Sequence, residues 1–460
     1  MHGFSGKVQN LFMINKQKKL SKNYNPKSLN ISHIGSKGEG VAKLFTALNL
    51  EEKNYNFFVP FTLPNEIVIA KPTGVSSTNV RAELIEIQNS SPDRVEPQCQ
   101  HFFKCGGCIL QHWNIEKYMD WKKNKLTSRV HEISSKTKVK EMITSSSNTR
   151  RHTKFTAKKN NSKTITGFYE YKSHFVVEII ECLILEDKLT KLIKNIQNPL
   201  GELLEIGQTI QIHANLLDYG IDLLIEGLDD VSFENFSNLN KVLMQNNVIR
   251  LHRRLNNKTL DLLYVIEKTC LSNKNFSSII FPPPGGFLQA TLSGETAIIK
   301  CVINALKNYN KDIFICELFC GSGTITLPLL LQNFKIKAFE IEPSSLKSID
   351  IATKGKSFKN NIKTQSRNLK SNPLSAKELE EYGAIILDPP RSGAQSQFLN
   401  IAEAKVKIVI SISCNIDTFI RDAKILLDSG YDLEWVQPID QFLYSAHVEV
   451  VGFFCINESN

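Results

Sequence analysis

DIFICELFCGSGTITLP, residues 312–328, is the stretch whose reading decides the fold: an apolar run ends in a Gly-x-Gly turn and passes into a helical pattern. So short an apolar run fits a strand buried on both faces of a sheet. Gly321 and Gly323 permit a tight turn and close approach of the backbone to a ligand, and a helix expected from about Thr324 offers its first N–H groups. Outward from this stretch, IKAFEIE, GAIILD and KIVISIS alternate with helical segments, the rhythm of βαβ units around a parallel sheet. Such sheets bind ligands at the carboxyl ends of their strands. Glu340 stands at such an end, 17 residues beyond Gly323, placed to accept hydrogen bonds from ribose hydroxyls. A dinucleotide fingerprint needs a third glycine where Thr326 stands. Taken alone, then, the turn fits a nucleoside cofactor or an ordinary βα connection.

The later strands carry the chemistry. GAIILD runs into DPPRSG (388–393), whose double proline fixes an extended turn beyond Asp388. KIVISIS delivers SCNIDT (413–418) with Cys414 at the equivalent point, and IDQFLYSAHVEVVGFF places His447 and Glu449 where a further strand begins. Methylation at C5 of uracil wants this set. A thiolate adding to C6 creates an enolate at C5, the enolate takes a methyl group, a base removes the C5 proton, and elimination frees the cysteine. Cysteine is a strong nucleophile and a tolerable leaving group, and a buried glutamate gains basicity near neutral pH. Singly, each residue has a plainer reading. A buried cysteine usually packs, Asp388 can cap a turn, Arg391 can sit on the surface, and His447 fits a structural role.

Residues 285–460 resemble the catalytic domain of the RNA uracil-C5 methyltransferases, the RumA and TrmA group, on GGFLQAT, ELFCGSGTITLP, AFEIE, DPPRSG, SCNIDT and QFLYSAHVEVV. The resemblance implies a Rossmann-like class I α/β domain that uses S-adenosylmethionine, with Cys414 as nucleophile and Glu449 as the proton-abstracting base. It puts cofactor contacts on Gln289, Phe319, Thr324, Glu340 and Asp388, with Asn368 added where an adenine contact is expected. Four positions depart from the pattern. Thr324 replaces the usual Asn, Ile416 and Leu443 replace prolines, and Ser411 replaces a common tyrosine. These bear on the positioning of cofactor and thiol.

CQHFFKCGGC supplies Cys99, Cys105 and Cys108, with Gly106 and Gly107 freeing the backbone to wrap an ion or cluster, and Cys182 is the natural fourth ligand. Four thiolates suit zinc or an iron–sulfur cluster, and the spacing leaves both open. The resemblance to RumA-like enzymes implies a [4Fe-4S] cluster in a structural role. Residues 27–92, through HIGSKGEGVAKL and VPFTLPNEIV, resemble a TRAM domain, an OB-like β-barrel that binds RNA, with Asn65 where glycine is usual. A basic tail (1–26) precedes it, a mixed central domain (93–285) carries the cluster site, and the methyltransferase domain occupies 286–460. TRAM domain and cluster cysteines together imply the branch that acts on 23S ribosomal RNA, with tRNA as the second substrate class.

The composition agrees. At 460 residues, 42% hydrophobic, the chain can fill several cores, and no apolar run approaches a membrane span. The N-terminus is basic without an apolar signal core, Met13 offers a second start, and a cytoplasmic protein with thiols rather than disulfides is expected. Of the net charge of +10, residues 1–200 carry +14 and the remainder −4. The densest basic stretch is Lys122 to Lys163. Such clustering suits a phosphate backbone, though a solvated lysine-rich surface accounts for it equally. No obligate protein partner is indicated. Two rival classes stand beside the enzyme: a catalytically silent RNA-binding protein, and a nicotinamide-dependent oxidoreductase. The intact Cys414, Asp388 and Glu449 speak against the first, the missing third glycine against the second.

Overall fold

The structure is a computed structural model that describes residues 24–48, 51–228, 236–255 and 259–456. The basic tail expected at 1–26 falls outside the described residues apart from its last three. The chain forms two compact units, Met1–Lys122 with Tyr444–Ala446, and Lys123–Leu443 with His447–Asn460. Of the central segment expected at 93–285, residues 93–122 fall in the first unit and 123–285 in the second, with most of the catalytic segment. Among the described residues no helix is long and apolar enough to cross a membrane.

The first unit is built on a six-stranded sheet whose two edge strands, Lys27–Asn30 and His33–Ile34, are consecutive in the chain. One short segment thus pairs with Ile67–Ser76 on one edge and Gly40–Leu48 on the other, which closes the sheet around Leu29, Ile31, Tyr55, Phe57, Val68 and Leu84. Asn65, at the usual glycine position, has φ 69°, a left-handed conformation that asparagine tolerates better than most residues. The buried Glu66 beside it accepts from Arg94 Nε (2.6 Å) and from the Leu63 N–H (2.8 Å).

The second unit contains a seven-stranded sheet between residues 152 and 265 and a nine-stranded sheet that carries the chemistry. Along the latter run Ile362–Ser366, Ile336–Glu340, Ile315–Leu318, Ala384–Leu387, Ile408–Ser413, Glu449–Ile456 and Tyr431–Asp440. Numbered by appearance in the chain this is the order 3-2-1-4-5-7-6, with only the seventh strand antiparallel. It is the class I methyltransferase arrangement, with its switch point between Ile315–Leu318 and Ala384–Leu387, where ligands of such sheets sit. Strand alternation feeds two cores: Cys316, Leu318, Ile385 and Leu387 face one side, Ile315, Ala384 and Ile386 the other. Two-residue pieces, Lys138–Val139 and Ile143–Thr144, extend the sheet along Tyr431–Asp440.

Local chemistry sets the helix ends. Asn415 accepts from the Asp417 N–H (3.0 Å) and caps Ile416–Asp428, whose Ile416, Phe419, Ile420, Ala423 and Leu426 form the buried stripe. Ile416 is therefore a core residue at the first helical position, where proline is usual. Thr291 caps Leu292–Ala305 by accepting from the Gly294 N–H (3.0 Å). The loop leading into that helix is pinned by the seven-stranded sheet. Arg250 bonds Asp222 (2.6 Å) and the Pro282 carbonyl (2.8 Å), and Asn215 Nδ2 donates to the Gly286 carbonyl (2.9 Å). Arg151 pairs with Glu295 and donates from Nε to the Gln289 carbonyl (3.2 Å), with both members of the pair buried.

The basic stretch Lys122–Lys163 is largely taken up by the protein itself. Lys122 and Arg151 are buried, and Lys159 Nζ donates to the carbonyls of Gly201 and Leu204 (both 2.7 Å) at the end of a helix. Lys123, Arg129 and Lys163 pair with Glu141, Glu132 and Glu178.

The Arg151–Glu295 pair generates a stability prediction, since removing one partner strands a buried charge. Arg151→Met should cost about 3–5 kcal/mol in urea unfolding. The double variant Arg151→Met/Glu295→Met should recover most of it. A double variant as damaged as the single one would show that the charge pair is not what holds this region.

Candidate active site

The candidate residues gather where the strands end. Phe319 follows Ile315–Leu318, Glu340 closes its own strand, Asp388 follows Ala384–Leu387, Cys414 follows Ile408–Ser413, and Glu449 opens the strand antiparallel to it. The Ser413–Val450 register sets Cys414 and Glu449 side by side at the strand termini.

At the glycine turn the backbone departs from ordinary geometry. Phe319 (φ 63°), Gly321 (φ 53°) and Gly323 (φ 88°) are all left-handed. A phenylalanine in that region is strained by roughly 1–3 kcal/mol, and such strain concentrates at ligand sites. A Cβ on Gly323 would lie 2.9 Å from Ile349, so helix packing demands glycine there, whereas a Cβ on Gly321 would meet nothing within 4 Å. The bare backbone at Gly321 thus borders open space. Glu340 accepts from the N–H groups of Gly321 (3.0 Å) and Ile341 (2.7 Å), which ties the second strand's tip to the turn. Thr324 lies half-buried in the turn, and the helix begins at Thr326 rather than near Thr324 and runs only to Leu330. The outward N–H groups therefore belong to the turn, not to a long helix. Asn368 is exposed, and its Oδ1 accepts from the N–H groups of Lys370 (3.1 Å) and Ser371 (3.2 Å), shaping the loop whose Arg367 N–H bonds the Glu340 carbonyl (2.8 Å). Among the described residues its side chain makes no hydrogen bond to the other candidates. An open, glycine-lined turn with a carboxylate at the next strand tip fits the nucleoside portion of S-adenosylmethionine.

A second group is linked by side chains. Gln289 Nε2 donates to Asp388 Oδ2 (3.2 Å), Gln441 Nε2 donates to Gln289 Oε1 (2.8 Å), and the same nitrogen donates to Glu449 Oε2 (3.0 Å). Gln289, Gln441 and Glu449 are buried. Burial holds both Asp388 and Glu449 well above the usual carboxylate range, and for Glu449 the nearby Asp388 adds to the effect. Cys414 is half-buried; burial and then the Glu449 charge push its thiol up to about 11, against the opposing pull of Arg391. The Arg391 guanidinium lies 2.7 Å from His447 Nε2, and its carbonyl accepts from Asn415 Nδ2 (3.1 Å), joining the Asp388 and Cys414 loops. This arrangement sets a half-buried thiol and a buried carboxylate beside one another at adjacent strand ends.

Two members were not singled out in the sequence. Gln441 lay within the recognised QFLYSAHVEVV stretch, and its place at a strand end was the available signal. Glu317 is buried on the central strand and accepts from Thr326 Oγ1 (2.7 Å), with burial and the Asp388 charge raising it to about 8. An acid inside an otherwise apolar strand was its signal.

Of the proposed cluster ligands, Cys99, Cys105 and Cys108 lie in the first unit and Cys182 in the second, all half-buried thiols. The Gly107 N–H donates to Cys105 Sγ (3.5 Å). Among the described residues, no three His, Cys, Asp or Glu side chains are gathered to hold a metal ion.

The profile of the tRNA (uracil-5-)-methyltransferase family matches residues 115–456. An uncharacterised RNA methyltransferase of Brucella melitensis is 33% identical over 426 residues, 92% of this chain and 96% of its own. The 23S rRNA (uracil(1939)-C(5))-methyltransferase RlmD of Francisella tularensis subsp. novicida is 29% identical over 449 residues, 92% of this chain and 95% of its own. The crystal structure of Pyrococcus abyssi tRNA (uracil-54, C5)-methyltransferase, in complex with S-adenosyl-L-homocysteine, shares the fold with a TM-score of 0.64 at 17% identity, covering 93% of this chain and all of that one. With its strand order, its glycine turn and its paired thiol and carboxylate, the chain belongs to the tRNA (uracil-5-)-methyltransferase family.

Proposed function

We propose that this protein methylates C5 of a uridine in 23S ribosomal RNA, with Cys414 as nucleophile and Glu449 as base. The observation that carries the reading is the placement of Cys414 and Glu449 on adjacent strand ends next to the buried Asp388 and Gln289. S-adenosylmethionine would supply the methyl group as a sulfonium electrophile, and the residues that would hold it are Gln289, Phe319, Thr324, Glu340, Asn368 and Asp388. The Cys414 thiolate forms a bond to C6 of the uracil, and the ring electrons move to C5. C5 takes the methyl group, its proton passes to Glu449, and the C6–sulfur bond breaks to return the thiolate. The raised Glu449 suits it to this transfer, since a base works best when its conjugate acid titrates near the working pH.

The ribosomal choice is supported by the relative that carries that activity in its name and aligns along nearly all of this chain. In the first unit, exposed Lys37, Lys43 and Arg81 accompany an exposed Phe45, basic and aromatic groups of the kind that bind single-stranded RNA, as a TRAM-like barrel would. Incubating the purified protein with in-vitro-transcribed 23S rRNA and tRNA pools and labelled methyl donor should place the label in 23S rRNA as 5-methyluridine. Label confined to tRNA would reverse the choice of substrate and leave the chemistry intact.

The mechanism has its own test. Glu449→Gln should lose turnover by about 10²–10⁴-fold and accumulate a covalent protein–RNA adduct that already carries the methyl group. Cys414→Ala should form neither adduct nor product, and the double variant should behave like Cys414→Ala, because the thiol acts first. Denaturing gels with radiolabelled donor read both bond and label. A Cys414→Ala protein that turns over normally would overturn the assignment.

The [4Fe-4S] cluster on Cys99, Cys105, Cys108 and Cys182 belongs to the same proposal: the C-x5-C-x2-C spacing supports a four-thiolate site, and the resemblance to RumA-like enzymes favours iron over zinc. The purified protein should be brown, and Cys105→Ser or Cys182→Ser should bleach it. A colourless protein with stoichiometric zinc would exclude the iron cluster.

A further inference from the structure

Between the two carboxylates stands a residue with no role in the scheme above. Gln441 is 2% exposed and uses its whole amide. Its Oε1 accepts from the Ala290 N–H (3.1 Å), so that atom must be the oxygen, and Nε2 then donates to Gln289 Oε1 (2.8 Å) and Glu449 Oε2 (3.0 Å). Gly294 packs directly against the side chain. A Cβ on Gly294, at the start of the helix Leu292–Ala305, would lie 2.8 Å from Gln441 Oε1 and 2.9 Å from its Cβ. Ala290 is in turn held by Arg151, whose N–H donates to the Ala290 carbonyl (3.0 Å).

We propose that Gln441 is the positioning residue of the base, pinning Oε2 of Glu449 so that Oε1 meets the C5 proton and favouring the ionised carboxylate that can accept it. The proposal rests on Glu449 being the base. A donor to a carboxylate stabilises its charged form, and here that bond opposes both burial and the charge of Asp388. The groups around Glu449 leave Gln441 as the neutral donor among them. Asp388 faces it from the end of Ala384–Leu387, and Cys414 from the end of Ile408–Ser413, with Arg391 acting on the thiol. On the neighbouring strand the Asp440 carboxylate accepts from the Phe442 N–H (2.9 Å). Glu295, on the helix packed behind, is paired with Arg151, Glu317 feels Asp388, and His447 lies against Arg391.

Gln441→Met keeps the length and removes the donor. The experiment follows methyl transfer and adduct resolution separately in single turnovers between pH 6 and 10, on the RNA that the wild-type protein methylates. Resolution should slow about tenfold at pH 7, its acid limb should move up by about one unit, and at pH 9.5 it should return to within about twofold of wild type. Methyl transfer and S-adenosylhomocysteine affinity should change less than about threefold. If Gln441→Met is too unstable to purify, Gln441→Glu preserves the shape while replacing donor by acceptor, and the limb should move the same way. A pH-independent loss in either variant would reduce Gln441 to a packing residue and overturn the proposal. Failure of the underlying reading looks different: Glu449→Gln would then resolve its adduct like wild type, whatever Gln441 does.

Discussion

Burying two carboxylates in one pocket is unfavourable unless each finds donors, and much of the second unit can be understood as meeting that requirement. Asp388 and Glu449 end or begin strands that lie on opposite flanks of Ile408–Ser413 in the sheet, and two glutamines connect them through their amides. Those amides would wander without backing. Gln289 is fixed by Arg151 and by a loop that Arg250, Asp222 and Asn215 clamp to the seven-stranded sheet. The central segment is thus not a separate appendage but the support on which the acid-bearing pocket is assembled. Its buried ion pairs add little net stability by themselves, and their contribution is a fixed geometry at Gln289.

The sheet was legible because parallel central strands are apolar on both faces. DIFICELF, GAIILD and KIVISIS announced themselves as runs, and the position of Glu340, Asp388, Cys414 and Glu449 at strand termini followed from that. What could not be read was what depends on partners far away in the chain. Lys138–Val139 and Ile143–Thr144 are too short to show a pattern, yet both pair with Tyr431–Asp440. Gln441 is one polar residue among several in its motif until Ala290 and Glu449 are seen on either side of it. Asn368 was placed by motif alone, and its carbonyl oxygen is engaged in shaping its own turn.

Charge was the least informative signal. A run of lysines and arginines reads identically whether the ammonium groups face solvent, an RNA backbone or the protein's own carbonyls. Lys159 closes the end of a helix and Arg151 holds a loop, and neither role leaves a trace in local composition. By contrast, the left-handed Phe319 and the open space before Gly321 point toward a ligand without reference to charge at all.

The antiparallel insertion of Glu449–Ile456 beside Ile408–Ser413 has an evolutionary corollary. Cys414 and Glu449 are neighbours across a ladder rather than along a chain, so the pairing phase fixes their separation. A single-residue slip of the ladder would turn Glu449 to the opposite face of the sheet and bring Val448 or Val450 toward the thiol. Lineages of this fold should therefore keep the pairing phase of the last strand invariant.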